Sequence, residues 1–171
     1  MIKLIGAACI LIATTVIGFE RARHLGLRPI QLRSFRNALQ ALESEIMFGH
    51  LPLREASQRL AKQFPVPLSD FFILFSDSLK EEETNTRKAW GQALESIRGK
   101  LSIKDKEMEI LLQFGETLGR HDRYQQQKQI LLTMSHLERA EDEALSMQGK
   151  YEKMAKGLGF LAGLLFIVLL L

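Results

Sequence analysis

PIQLRSFRNALQALESEI, residues 29–46, carries Leu32, Phe35, Leu39, Leu42 and Ile46 at alternating three- and four-residue steps. That spacing lays five apolar side chains along one face of an α-helix. Pro29 suits the first helical position, and Gly49 suits a left-handed closing residue. Strand-like alternation is nearly absent from the rest of the chain, so an all-helical fold is expected.

Working outward from this stretch, Pro52 opens a short second helix with Leu53, Ala56, Leu60 and Phe64 on one face. Pro65 and Pro67 stop it, because the residue before a proline is pushed away from helical geometry. A third helix begins near Pro67, with Ser69 and Asp70 in its first turn. It carries the apolar run Phe71, Phe72, Ile73, Leu74 and Phe75, which reads as the most buried helix or, alternatively, as a buried strand. Glu81, Glu82 and Glu83 read as a solvated turn. Thr84 or Asn85 can cap a fourth helix bearing Trp90, Leu94 and Ile97 and ending at Gly99. Ser102 with Asp105 reads as a capping-box start for a fifth helix, whose inner face is Met108, Leu111, Leu112, Gly115 and Leu118. A last helix starts near Asp122 and keeps Ile130, Met134 and Leu137 in register. Glu141 and Gln148 then make the stripe polar. The second half of this helix is therefore expected to leave the core as a stalk.

Apolar residues form 46% of the 171-residue chain and charged residues 25%, but the apolar ones gather at both ends. Residues 4–19 are apolar apart from Thr14 and Thr15. With residues 1–3 they reach about the length that crosses a ~30 Å hydrocarbon layer. A cleaved signal peptide shares the Lys3-then-apolar pattern, but no small-x-small site follows the apolar core. Residues 157–171 are apolar throughout, a short span that Met154, Ala155 and the Lys156 stem can extend. Arg21, Arg23, Arg28, Arg33 and Arg36 follow the first stretch, and Lys150, Lys153 and Lys156 precede the last. The positive-inside rule then puts the middle segment in the cytoplasm. The expected organisation is a transmembrane helix over 1–19, a cytoplasmic bundle of about six helices over 25–153, and a transmembrane helix over 154–171.

No constellation in the chain matches catalytic chemistry, so no enzyme activity is expected. His24, His50, His121 and His136 lack neighbours at metal-ligand spacing, and no phosphate-binding loop is present, so neither metal nor cofactor is expected. Glu138, Glu141, Asp142 and Glu143 beside Arg139 read as a solvated face. Cys9 is the lone cysteine and forms no disulfide. A net charge of +3 is too mild for a nucleic-acid partner. The basic cluster from Arg21 to Arg36 has two readings, a topology signal that also touches anionic lipid or a site for an acidic partner, and some of its arginines can also pair with carboxylates of the bundle.

Gly115-Glu116-Thr117-Leu118-Gly119, opening into a long helix, resembles the Gly-Glu-x-x-Gly signature of the type II secretion platform (F protein) family. Phe35-Arg36-Asn37-Ala38-Leu39, Pro52-Leu53-Arg54-Glu55-Ala56 and Ala89-Trp90-Gly91-Gln92-Ala93-Leu94 are similar to that family's helices in the same order, over residues 30–145. Platform proteins carry two such domains and three spans, whereas this chain has one domain between two. In length and arrangement it resembles a sporulation family of the channel complex that links mother cell and forespore. The resemblance implies a platform or coupling subunit in the mother-cell membrane. Its implied partners are the sporulation AA-type secretion ATPase and other membrane subunits of the channel. Gly115, Glu116 and Gly119 would be its motif residues. Four apart on one face, the two glycines would admit another helix backbone, with Glu116 at the edge meeting an arginine or a helix N-terminus. A scaffold that organises partners through its spans alone is the other reading.

Overall fold

The computed structural model describes residues 26–49, 51–80, 85–118 and 123–170, with side chains placed except at 123, 152, 153 and 155–170. Those residues form six α-helices: α1 over 26–47, α2 Leu53–Gln63, α3 Leu68–Ser78, α4 Thr86–Ile97, α5 Asp105–Thr117 and α6 Arg123–Leu170. A 3-10 turn, Arg98–Lys100, follows α4, and no strand occurs among the described residues. Successive helices from α2 to α6 pack on one another, as short connections favour.

The stripe of α1 is buried as its spacing requires: Leu32, Phe35, Leu39 and Leu42 lie in the core, with Ile46 packed at its margin. Two details of α1 differ from expectation. Residues 26–28 are already helical, so Pro29 lies inside the helix rather than at its first position. Gly49 does not adopt a left-handed conformation. Its N–H donates to the Ser44 carbonyl at 3.2 Å, and a Cβ there would stand 2.7 Å from the Glu45 carbonyl oxygen. Close approach to the preceding turn, not a positive φ, is what a side chain would disturb.

Pro52 precedes α2, whose Ala56 and Leu60 are fully buried. The Val66–Pro67 peptide is cis in the tight link to α3. In α3 the apolar run is helical but two-sided. Phe71, Phe72 and Phe75 are buried, while Ile73 and Leu74 are 48% and 40% exposed. The helical step turns those two away from the neighbours that cover the phenylalanines. Residues 81–83 lie outside the described residues.

Asn85 caps α4, its side-chain oxygen accepting the Arg87 N–H at 3.1 Å. For α5 the capping residue is Lys104, two positions later than Ser102. The Lys104 N–H donates to the Glu107 carboxylate at 2.5 Å, while the Ser102 N–H donates to Gln31 of α1 at 2.6 Å. Leu112, expected inside, is 37% exposed, and Phe114 fills the inner face instead. At 100° per residue, Met108, Leu111, Gly115 and Leu118 share a face that Phe114 borders.

Trp90 of α4 is the hub of the core. Its ring meets Phe71, Phe75 and Phe114 edge-to-face, with centroids 4.7, 5.1 and 5.2 Å away. Such pairs contribute about 0.5–1.5 kcal/mol each beyond area burial. The indole N–H, which a buried tryptophan must satisfy, donates to the Leu111 carbonyl at 2.8 Å.

α6 is one unbroken helix of 48 residues. Its packing does not stop where its stripe turns polar: Glu141 and Ala144 are buried. The expected stalk is thus part of the bundle as far as residues 147 and 148. There Met147 meets Arg28, and Gln148 lies 3.8 Å from where a Cβ on Gly26 would stand. Among the described residues no helix is long and apolar enough to cross a membrane. Residues 1–25, including the first apolar stretch and Cys9, lie outside them.

Candidate functional site

Two groups of the residues singled out from sequence lie among the described residues. The first is the motif on α5. Gly115 faces the Trp90 ring so closely that a Cβ would fall 2.2 Å from Cδ1 and 2.7 Å from Cγ of the indole. The glycine therefore makes room for an aromatic ring of α4, not for a helix backbone as the spacing suggested. Glu116, one residue on and half exposed, pairs with Arg87 at 2.6 Å, in the first turn of α4. Both residues thus join α5 to α4, one by shape and one by charge. Gly119 lies outside the described residues.

The second group is the arginines. Arg21 and Arg23 lie outside the described residues. Arg28, Arg33 and Arg36 project from α1 onto carboxylates of α5 and α6. Arg28 is 4% exposed. Its Nη2 donates to Glu107 Oε1 at 2.5 Å and its Nε to Oε2 at 3.4 Å, a two-point contact. Arg33 Nε donates to Glu141 Oε1 at 2.6 Å, and Arg36 Nη1 donates to Glu138 Oε1 at 3.0 Å. Glu141 Oε2 is buried without a hydrogen bond, 3.5 Å from Arg36 Nη1. Lys104 bridges to Glu143 at 3.0 Å, and Glu143 also lies 3.6 Å from Arg28. The Lys104 hydrogen bond, with the charges of Lys104 and Arg28, holds the Glu143 carboxyl below its ordinary range.

Glu138, Glu141 and Glu143 are therefore not simply a solvated face. With Glu107 they form an ionic seam that fixes α1 antiparallel to α6. The seam explains why α6 stays packed after its apolar stripe ends. Sequence reasoning missed Glu107. Its position three residues into α5, where it accepts the Lys104 N–H, was the available signal. The partner of Arg28 lies 79 positions away, a pairing no local pattern reveals.

Among the described residues no group of three His, Cys, Asp or Glu could hold a metal ion. His24, His50 and His121 lie outside the described residues, and His136 lines a groove between α5 and α6. Other ion pairs lie near the ends of α4 and α5. Arg98, for example, is held above its ordinary pKa by hydrogen bonding to Asp105 and by Glu95.

The stage III sporulation protein AB family model matches residues 3–171. The chain is 53% identical, over 171 residues covering all of both chains, to stage III sporulation protein AB of Bacillus subtilis (strain 168). A solved structure of a stage III sporulation protein AB, 49% identical, superposes with a TM-score of 0.69 over 72% of this chain and 98% of that one. The chain, an all-helical bundle over its described residues, belongs to the stage III sporulation protein AB family.

Proposed function

We propose that this chain is a non-catalytic platform subunit of a secretion-like sporulation complex in the mother-cell membrane. It is anchored at residues 1–19 and 154–171, and its cytoplasmic bundle over 25–153 docks a secretion-type ATPase. The observation that carries the reading is α6. A single helix runs from the ionic seam with α1, through Lys150, Lys153 and Lys156, into the apolar residues 157–170. A bundle continuous with such a segment is built to transmit position between a bilayer and a cytoplasmic partner. The side chains of the apolar ends lie outside the described residues, so the anchor rests on sequence length and polarity.

The likeness to type II secretion platform proteins supports the coupling role. Its motif residues Gly115 and Glu116 join α5 to α4, a structural use that leaves outer surfaces free for partners. Anionic lipid is the expected neighbour of Arg21, Arg23 and the lysines from Lys150, and other membrane subunits are the expected neighbours of the spans. The test is retention of the ATPase by the full-length chain in lipid nanodiscs. Alkaline carbonate should leave the chain in membranes, and a reporter inserted between residues 81 and 84 should be active only in the cytoplasm. Co-elution of the ATPase is the expected result. A chain that resists carbonate yet never retains the ATPase would be a scaffold acting through its spans alone. A chain that washes off membranes would overturn the reading.

A further inference from the structure

One feature unused by the bundle is a groove between α5 and α6. Two adjoining cavities of about 400 Å³ and about 180 Å³ share Lys106, Ile110 and His136. Together they follow α6 from Gln129 to Glu143, roughly 21 Å at the helical rise. The floor of the larger part is apolar, with Ile110, Phe114 and Leu132, and Leu132 is 51% exposed.

The charges around the groove are unbalanced. Its two carboxylates, Glu107 and Glu143, are taken by Arg28 and Lys104. Lys106 and Arg139 line it exposed, and neither meets a carboxylate of the described residues in an ion pair. A groove some four helical turns long, with an apolar floor and unpaired cations on its rim, fits one kind of occupant. An amphipathic helix would lay leucine-like anchors at i, i+4 and i+7 on the floor and carboxylates against the rim. Anionic headgroups would match the cations, but not a concave apolar floor bounded by two helices.

We infer that the α5–α6 groove is the docking site for an acidic amphipathic helix. This rests on the platform reading above, in which the secretion-type ATPase supplies that helix. Charge complementarity sets partner choice and capture rate, while the apolar floor sets residence time.

The full-length chain in lipid nanodiscs is titrated with the ATPase. Lys106→Glu combined with Arg139→Glu should weaken binding by about ten-fold or more and reduce its salt dependence. Leu132→Asp should act similarly, mainly through faster release. Lys62→Glu on α2 should leave affinity unchanged, and melting curves establish that each variant is folded. A photo-crosslinker in place of Leu132 should map to an acidic helical segment of the ATPase. Wild-type binding that the double reversal leaves unchanged would overturn the groove and leave the platform reading standing. A crosslink to a second copy of this chain would overturn it too. Failure of the wild-type chain to bind the ATPase would remove both.

Discussion

The fit of Gly115 against Trp90 decides how much the motif tolerates. A methyl group at Gly115 already overlaps the indole, which Phe71, Phe75, Phe114 and the Leu111 carbonyl hold in place. Gly115→Ala should cost about 1–3 kcal/mol, the usual cost of overpacking, and Gly115→Leu should cost more or abolish folding. Thermal melts of the two variants test this. An unchanged curve for Gly115→Leu would refute the packing account. Glu116→Ala removes an exposed ion pair and should change stability by less than about 1 kcal/mol. The sequence made the motif visible but not its ring partner, because Trp90 and Gly115 meet only once α3, α4 and α5 have brought Phe71, Phe75, Trp90 and Phe114 together.

At the scale of elements, the ionic seam deserves the most direct tests. Arg28 and Glu107 are both buried, so removing one leaves the other charged and unpaired. Arg28→Leu should destabilise by about 3–5 kcal/mol, and Arg28→Leu with Glu107→Leu should recover much of that loss. Denaturant titration of the two single variants and the double one measures the coupling. The exposed end of the seam responds to pH. Because the folded-state pKa of Glu143 lies below its unfolded value of 4.5, its contribution is complete above that value and disappears as pH falls through the folded pKa. Lys104→Met should therefore lower the melting temperature at neutral pH, and the difference from wild type should shrink in acid. The stripes of α1, α2 and α4 were legible from apolar spacing, since each helix buries one face. The packing of α6 beyond Leu137 was not, because carboxylates in a helical register look solvated until the arginines of α1 cover them. The exposed side of α3 was hidden for the opposite reason: an unbroken apolar run carries no mark of which two residues will face out.

For the whole molecule, the order of helices and the all-α class followed from proline and glycine placement together with helical periodicity. The groove between α5 and α6 did not, because it is made by two elements and its charge depends on which carboxylates are already paired. The unbroken course of α6 can be tested apart from the bundle. Gly149 lies just past the last contacts with α1, and nothing stands within 4 Å of a Cβ there. Gly149→Ala should be tolerated and should stiffen the helix by about 1 kcal/mol. Gly149→Pro should interrupt α6 at a cost of about 3 kcal/mol in local helix while the bundle keeps its melting transition. Circular dichroism would read the first effect. If coupling runs along α6, the proline variant should still bind the ATPase yet fail to support sporulation.

A rod of 48 residues is roughly 72 Å long. Tilting it by ~10° about its apolar end swings the opposite end through ~12 Å, more than the width of a helix. If the apolar end is seated in a bilayer as proposed, small rearrangements there would arrive at Arg123 as large sideways strokes, carrying α1 along by its clasped arginines. In such a lever the stroke at any point grows in proportion to its distance from the pivot, and the coupling works in either direction.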